Sequence, residues 1–150
     1  MGNFGTNRRL RALVALRGLA ALDADEVVYF NYADPLTGEH RYRLRMPAGG
    51  LACDAFWSVT MYRIEADGRR FLLENPIGRY LINDRTPGLR RSADGSLTIA
   101  IQVERPAASD DAANWLPAPI GECSMVLRAY HPRAELRGDH PVLPTLERID

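Results

Sequence analysis

Several side chains between positions 62 and 130 could together form a ligand site. Tyrosine and arginine combine a planar or apolar body with strong hydrogen-bond donors, and asparagine supplies both a donor and an acceptor. Such a group can orient a small polar or anionic ligand. The candidate ligand-binding residues are Tyr62, Arg79, Asn114, Trp115, Arg128 and Tyr130.

The segment NWLPAP, residues 114–119, supports two interpretations of Asn114 and Trp115. In the first, Asn114 bonds the backbone of its own turn, and Trp115, a large side chain rarely left in water, plugs one end of the fold. In the second, the prolines stiffen the segment into a rigid lip over a pocket, and both side chains face a ligand. The residue types alone leave both interpretations open.

Two of the candidate arginines could either bind an anionic ligand or form buried ion pairs. Arg79 follows a turn, and Arg128 lies in the strand-like segment 123–130. Burying a guanidinium group without a carboxylate partner is costly. Pairing of both arginines with acids such as Glu74 or Asp84 would therefore indicate a structural cluster rather than a ligand site.

Arginines alternate with apolar residues in the segment HRYRLRM, residues 40–46. This period of two is typical of a strand with one buried face and one polar face. We interpret the arginine face as solvated and paired with carboxylates on neighbouring strands, and an anion-binding stripe is the alternative. The arginines concerned are Arg41, Arg43 and Arg45.

Sequence motifs for common enzyme chemistries are absent from the chain. There is no GxSxG, HExxH, Walker or GxGxxG motif. Cys53 and Cys123 fit neither a CxxC motif nor a metal spacing and are predicted to be free thiols. The histidines at positions 40, 131 and 140 share no i,i+2 or i,i+4 spacing. We therefore predict no metal and no cofactor, and the catalytic residues of any enzyme activity are unknown.

The composition is that of an ordinary globular protein, with 46% hydrophobic and 25% charged residues. Nineteen basic residues, all arginine, balance nineteen acidic ones, so no net charge attracts the chain to nucleic acid or an anionic membrane. Arg17 interrupts an apolar run that would otherwise resemble a signal peptide, and no segment has membrane-spanning length. We expect a cytoplasmic protein with no nucleic-acid or membrane partner.

Residues 6–22 are predicted to form a helix that packs on the flank of the domain. Alanine and leucine dominate the segment, and Thr6 or Asn7 can cap its start. Its leucines lie on more than one side, which is typical of a helix that is covered on more than one side. This predicts a further contact, most simply with a second copy of the chain. The leucines are Leu10, Leu13, Leu16, Leu19 and Leu22.

About seven strand-like segments follow the helix and are separated by turns rich in Gly, Pro and Asp. This pattern predicts one mainly β domain over residues 1–150, folded as an antiparallel β-sandwich between residues 26 and 130. The first two strands are expected to pair as a hairpin, and the proline-rich residues 131–150 to form an irregular, wrapping tail. The predicted strands span 26–32, 40–46, 54–63, 71–74, 79–84, 96–104 and 123–130.

Four stretches of the sequence carry a family resemblance: DAFWSVTMYR, ENPIGRYLINDRTPGL, DGSLTIAIQ and NWLPAPIGECSMVLRAYHP. In this order and spacing they resemble the DUF1214 family of domains of unknown function, over nearly the whole chain. The resemblance implies a bacterial or viral relative and a jelly-roll-like β-sandwich, but no established reaction. Members usually carry a DUF1254 domain before this one. We expect the surface that the companion would cover to be exposed, or covered by another copy or a separate companion protein.

Two hypotheses of function follow from these observations. In the first, the chain is a non-enzymatic binding or assembly module whose sandwich and helix mediate oligomerisation, with a site for a small polar or anionic ligand. In the second, it is an enzyme of unrecognised class that acts on a small molecule through Tyr, Arg and Asn groups. The missing motifs favour the first hypothesis. A pocket in which Tyr62, Arg79, Asn114 and Arg128 converge would favour the second.

Overall fold

The computed structural model describes residues 5–17 and 22–150, which form mainly β-strands. Each of the seven predicted strand segments overlaps an observed strand. The helices are α1 (Arg8–Arg17), α2 (Ser109–Ala113) and α3 (Ala134–Arg137). The strands are β1 (Val27–Thr37), β2 (Tyr42–Met46), β3 (Cys53–Ile64), β4 (Arg70–Phe71), β5 (Leu81–Asn83), β6 (Leu97–Gln102), β7 (Trp115–Pro117), β8 (Glu122–Pro132) and β9 (Thr145–Arg148).

The strands form two sheets. Sheet A has the order β1-β8-β3-β4, and β5 also pairs with β3. Sheet B has the order β7-β6-β2-β9. Neighbouring strands run antiparallel in both sheets, except that β6 and β7 are parallel. The predicted mainly β fold is therefore confirmed, and the jelly-roll connectivity stays a prediction.

One hydrophobic core lies between the two sheets. The alternation predicted for residues 96–104 is confirmed, because Leu97, Ile99 and Ile101 are fully buried while Thr98 and Gln102 are half-buried on the other face. Apolar residues at every second position of the strands meet in the same cluster. Its fully buried members include Leu44, Val59, Ile82, Leu97, Ile99, Ile101, Leu116, Met125, Leu127 and Ala129.

The hairpin predicted between the first two strands was wrong. β1 pairs with β8 in sheet A, whereas β2 pairs with β6 and β9 in sheet B. β1 also continues to Thr37, through residues interpreted as a turn, with a shift of register between Tyr32 and Leu36. Beyond this shift, Leu36 is buried in the core.

The segment 131–150 is more regular than predicted. It contains α3 and then β9, which pairs with β2 at the edge of sheet B. Leu136 is buried in the core, and the Tyr32 hydroxyl of sheet A donates to Pro144 O at 2.9 Å. The segment therefore passes from sheet A to sheet B and closes one side of the core. The sequence did not predict β9, because the segment is rich in proline and the strand has only four residues.

Helix α1 starts directly after Asn7, whose side-chain oxygen accepts a hydrogen bond from the Leu10 backbone N–H at 2.9 Å. This confirms Asn7 as a cap. Residues 8–12 are exposed. Leu22, the last residue of the predicted helix, lies outside α1. Packing of the helix on the flank stays a prediction. Outside the described parts of the chain lie residues 18–21, with Leu19, and the side chains of Leu13 and Leu16.

Both cysteines are free thiols, as predicted. Cys123 is buried in the core, and Cys53 is half-buried at the start of β3. Burial raises the pKa of Cys123 to about 11, and burial is also the main cause of the raised pKa of Cys53. Both thiols are therefore protonated at neutral pH, which makes them poor nucleophiles.

Candidate functional site

The outer face of sheet A carries the polar and aromatic residues that alternate with the core residues of β3 and β8. The antiparallel register sets Ser58 opposite Arg128 and Tyr62 opposite Ser124. Tyr29 of β1 also lies opposite Arg128. Because directly opposed residues lie on the same face of a sheet, these side chains form one continuous surface.

Arg128 is half-buried at the centre of this surface. Its Nη1 donates to Thr60 Oγ1 at 3.0 Å, and its Nη2 donates to the Tyr62 hydroxyl at 2.9 Å. The guanidinium carbon lies 5.8 Å from the ring centroids of both Tyr29 and Tyr62, within the range of cation–π attraction. We call these four residues the Arg128 platform. They hold the guanidinium in one position between two aromatic rings.

Tyr130 lies beside the platform, two residues further along β8. Its ring stacks on that of Phe56, with centroids 4.2 Å apart and an interplanar angle of 18°. The guanidinium of Arg85 lies 5.2 Å from the Phe56 ring centroid. This stack extends the aromatic surface and places a second positive charge at its edge.

The Arg128 guanidinium has no carboxylate within 4.0 Å among the described residues. Glu74 and Asp84 form no ion pair with it. A guanidinium carries five N–H groups, and the two bonds above leave three for another acceptor. Opposite Tyr62, the buried Ser124 Oγ also lacks a hydrogen-bond partner. The platform therefore presents hydrogen-bonding capacity that its own side chains do not use.

Arg79 lies elsewhere, between the β4–β5 connection and sheet B. Its Nη1 donates to the backbone oxygens of Ala113 and Trp115, each at 2.9 Å. Asn75 holds the backbone of Arg79 in turn, with its Oδ1 accepting from Arg79 N and its Nδ2 donating to Arg79 O, both at 2.9 Å. Arg79 thus ties one loop to the start of β7 without any carboxylate.

Trp115 is 2% exposed, and its indole N–H donates to Gln102 O at 2.9 Å. It lies opposite Ala100 in the parallel pair of β6 and β7. Since the neighbouring Leu116 belongs to the core cluster, Trp115 covers the other face of sheet B. The contacts agree with the structural interpretation, although Trp115 lies on a sheet face and not at one end of the fold.

Asn114 is 4% exposed, and its side chain clamps the backbone of a distant loop. Its Oδ1 accepts from Arg90 N at 2.8 Å, and its Nδ2 donates to Arg90 O at 2.7 Å and to Thr98 O at 3.0 Å. Both amide N–H groups are therefore used by backbone oxygens. Asn114 therefore fixes the segment around Arg90 against sheet B. The first interpretation placed its hydrogen bonds within its own turn, but they go to this other loop and to β6.

The six predicted site residues thus fall into two separate groups. One group shares the outer face of sheet A, and the other bonds backbone atoms at the β7 side of sheet B. The structure does not bring the groups together beside the NWLPAP segment, and a ligand-binding role for each residue stays a prediction. The first group is Tyr62, Arg128 and Tyr130, and the second is Arg79, Asn114 and Trp115.

Sequence reasoning missed three residues that complete the surface around Arg128. Phe56 and Thr60 were assigned to the mixed face of the predicted strand 54–63. Knowledge that β3 pairs with β8 would have placed them beside Arg128. Tyr29 was hidden because its strand was assigned to a hairpin with β2. Correct strand pairing, rather than any motif, is the signal that would have found them.

A groove of about 230 Å³ lies on the outer face of sheet B. The arginines of β2 contribute to it as their alternation predicts, and they pair with carboxylates: Arg43 with Asp111 at 3.1 Å, and Arg45 with Glu147 at 3.6 Å. The predicted pairing with carboxylates on neighbouring strands is confirmed for Arg45, because Glu147 lies on β9, whereas the partner of Arg43 lies on α2. We call this cavity the arginine groove, after its lining residues Arg43, Arg45, Arg90 and Arg91, which Asp110 and Asp111 accompany.

With this geometry in place, the family model for proteins of unknown function named DUF1214 matches residues 28–134. The match covers more than half of the chain. The chain belongs to the DUF1214 family. No protein with a curated description matches the chain.

Two solved structures share the fold of this DUF1214 domain. The VPA0106 protein from Vibrio parahaemolyticus superposes with a TM-score of 0.74 and 22% identity, over 95% of this chain and 35% of its own. A putative uncharacterised protein from Burkholderia cenocepacia superposes with a TM-score of 0.57 and 20% identity, over 87% of this chain and 31% of its own. The chain thus spans about a third of the length of each matched structure.

Within the described ranges, no three His, Cys, Asp or Glu side chains lie close enough together to hold a metal ion. Among those same residues, no helix combines the length and apolar character needed to cross a membrane.

Proposed function

We propose that this domain is a non-enzymatic binding module and that the Arg128 platform binds the carboxylate of a small, planar ligand. The observation that carries the proposal is a half-buried guanidinium held by two hydroxyl groups and two rings, with no ion pair to any acid that the structure describes. The separation of Arg79 and Asn114 from Tyr62 and Arg128 supports the binding module over the enzyme, which a pocket joining these four residues would have favoured.

The chemistry of the platform favours a carboxylate. Arginine presents parallel N–H groups that match the two oxygens of a carboxylate, and such charge-assisted bonds are about twice as strong as neutral ones. The hydroxyl groups of Thr60 and Tyr62 accept from Arg128, so their own protons remain available for donation. The rings of Tyr29 and Tyr62 supply an apolar wall for the rest of a planar ligand.

The fixed position of Arg128 supports binding as well. A free arginine side chain loses about 2 kcal/mol of rotamer entropy when it is ordered. Here the bonds to Thr60 and Tyr62 already order it, so a ligand bears less of that cost. A carboxylate also compensates the partly desolvated positive charge.

Benzoate is a suitable probe for the proposed site. We expect saturable binding to the wild type by titration calorimetry and a loss of at least about tenfold in affinity for Arg128→Gln, which removes one charge-assisted contact. Tyr62→Phe should weaken binding less, because the guanidinium remains. Arg105→Gln is the matched control: it removes the same charge at an exposed residue that forms no ion pair with any described residue.

The thermal melting of each variant separates binding from folding. Arg128→Gln with wild-type affinity for benzoate, or with a large loss of stability and unchanged affinity, would contradict the proposal. An equal loss in Arg105→Gln would show that only net charge matters, which would also contradict it.

We also propose that the protein forms a homo-oligomer, most simply a dimer, with α1 at the interface; a separate companion protein is the other partner considered. The support is an exposed start of α1, in which Leu10 is 46% exposed. Sedimentation velocity should give a dimer for the wild type and a monomer for Leu10→Glu with unchanged melting. A wild type that stays monomeric at high concentration would exclude the homodimer.

A further inference from the structure

The arginine groove carries more positive charge than its own acids neutralise. Its lining includes four arginines and two aspartates, and Glu147 pairs with Arg45 from outside the lining, so the arginines exceed these acids by one charge (4 − 3). Arg43 is paired with Asp111. Neither Arg90 nor Arg91 forms an ion pair with any described residue, so two guanidinium groups remain for a ligand.

The groove is also built on a fixed backbone. Arg90 lies in a connection between strands, but the buried Asn114 amide holds its N–H and its carbonyl at 2.8 and 2.7 Å. The guanidinium of Arg91 donates to Gly95 O at 3.3 Å. Because Asn114 also bonds Thr98 O, the backbone of this loop at Arg90 is fixed relative to sheet B. The arginines therefore approach the groove from two directions, from β2 and from this loop.

We propose that the arginine groove binds a phosphate monoester, at a site independent of the Arg128 platform. A phosphate monoester carries about two negative charges at neutral pH and three strong acceptor oxygens. Two unpaired guanidinium groups match that charge. The hydroxyl groups of Ser92 and Thr98 also line the groove and add neutral donors.

The geometry favours phosphate over carboxylate at this site. A carboxylate offers two oxygens in one plane and suits a single arginine. Donors from β2 and from the loop at Arg90 instead surround the groove, and a tetrahedral group can accept from several directions at once. The volume of about 230 Å³ leaves room for a small organic group beside the phosphate.

Phenyl phosphate is the probe for this proposal. Its titration into labelled wild-type protein should shift the backbone amide signals of Arg91, Ser92 and Thr98 saturably in NMR spectra. Arg90→Gln and Arg91→Gln each should weaken binding by at least about tenfold, because each removes one charge-assisted contact. Their exposed side chains make these variants compatible with folding.

A reciprocal variant sharpens the test. Asp110 is exposed, lines the groove and forms no ion pair within the described part of the chain, so its charge opposes an anion. Asp110→Asn should therefore strengthen phenyl phosphate binding several-fold, with a smaller gain at high salt. Arg105→Gln is the control outside the groove and should leave the affinity of this site unchanged.

Three results would overturn the proposal. The first is the absence of a saturable shift at the groove amides. The second is unchanged affinity in both Arg90→Gln and Arg91→Gln, and the third is an equal loss in the control Arg105→Gln. Failure of benzoate to bind the platform would not produce any of these results, because the readouts lie on different sheets. The groove and the platform can therefore be rejected separately.

Discussion

Replacing Trp115 with alanine is expected to lower the free energy of unfolding by about 3–5 kcal/mol. The indole is almost fully buried against sheet B, and its N–H donates to Gln102 O. Alanine removes the ring and leaves a cavity that the surrounding strands fill only in part. Urea denaturation followed by circular dichroism measures the change, with the slope against urea confirming a single transition.

Trp115→Phe is the graded control for this prediction. It keeps most of the ring volume and removes the indole N–H, but Gln102 O retains a hydrogen bond from Ala118 N at 3.0 Å. We expect a smaller loss of about 1–2 kcal/mol. Ile120→Ala, at a side chain that is 81% exposed, should change stability by less than about 0.5 kcal/mol. Wild-type stability in Trp115→Ala with loss of ligand binding would contradict the structural interpretation of Trp115.

The faces of individual strands could be predicted from the sequence because side-chain alternation is a local property. The arginines of β2 and the apolar residues of β6 lie on the faces that the period of two assigns to them. Pairing is not local. β1 pairs with β8 from the far end of the chain, and residues such as Gly38 suggested a turn and a hairpin instead.

The two short edge strands of sheet B could not be recognised. β7 has three residues and includes Pro117, and β9 has four. Segments this short carry too few positions to reveal a period, and proline argues against a strand except at an edge. The edge position of β7 depends on pairing with β6, which the sequence does not display.

The candidate site was predictable only in part, for a related reason. Tyr62 and Arg128 lie on the mixed faces of two strands, and adjacent pairing brings them into contact. Arg79 and Asn114 have the same kinds of polar group, but their hydrogen bonds go to backbone atoms: those of Asn114 use its whole amide, and those of Arg79 use Nη1 alone. Residue type shows how many hydrogen bonds a side chain can form, not whether the backbone already uses them.

Replacing Asn114 with alanine is expected to lower the free energy of unfolding by about 2–4 kcal/mol. Three hydrogen bonds of about 0.5–1.5 kcal/mol each are lost, one from Arg90 N and two to the oxygens of Arg90 and Thr98. Because the bonds join a loop to sheet B, Arg90 should also lose its fixed position. Urea denaturation gives the stability, and hydrogen exchange at the Arg90 amide should become faster.

Asn114→Asp distinguishes the clamp from a simple need for a polar group. One carboxylate oxygen can still accept from Arg90 N, but the other replaces the amide nitrogen and faces the oxygens of Arg90 and Thr98. At neutral pH this variant should be at least as unstable as Asn114→Ala. Burial and the two carbonyl oxygens raise the pKa of the introduced carboxyl above its unfolded value.

The pH dependence of Asn114→Asp follows from that shift. An acid whose pKa is raised in the folded state favours folding when it is protonated, and this contribution is lost as the pH rises through the folded pKa. Asn114→Asp should therefore gain stability relative to Asn114→Ala when the pH falls from about 7 to about 4, near the unfolded value for aspartate. Parallel urea denaturation of both variants at the two pH values measures this difference. A constant difference, or a neutral-pH stability equal to that of the wild type, would mean that Asn114 does not donate to these two carbonyl groups.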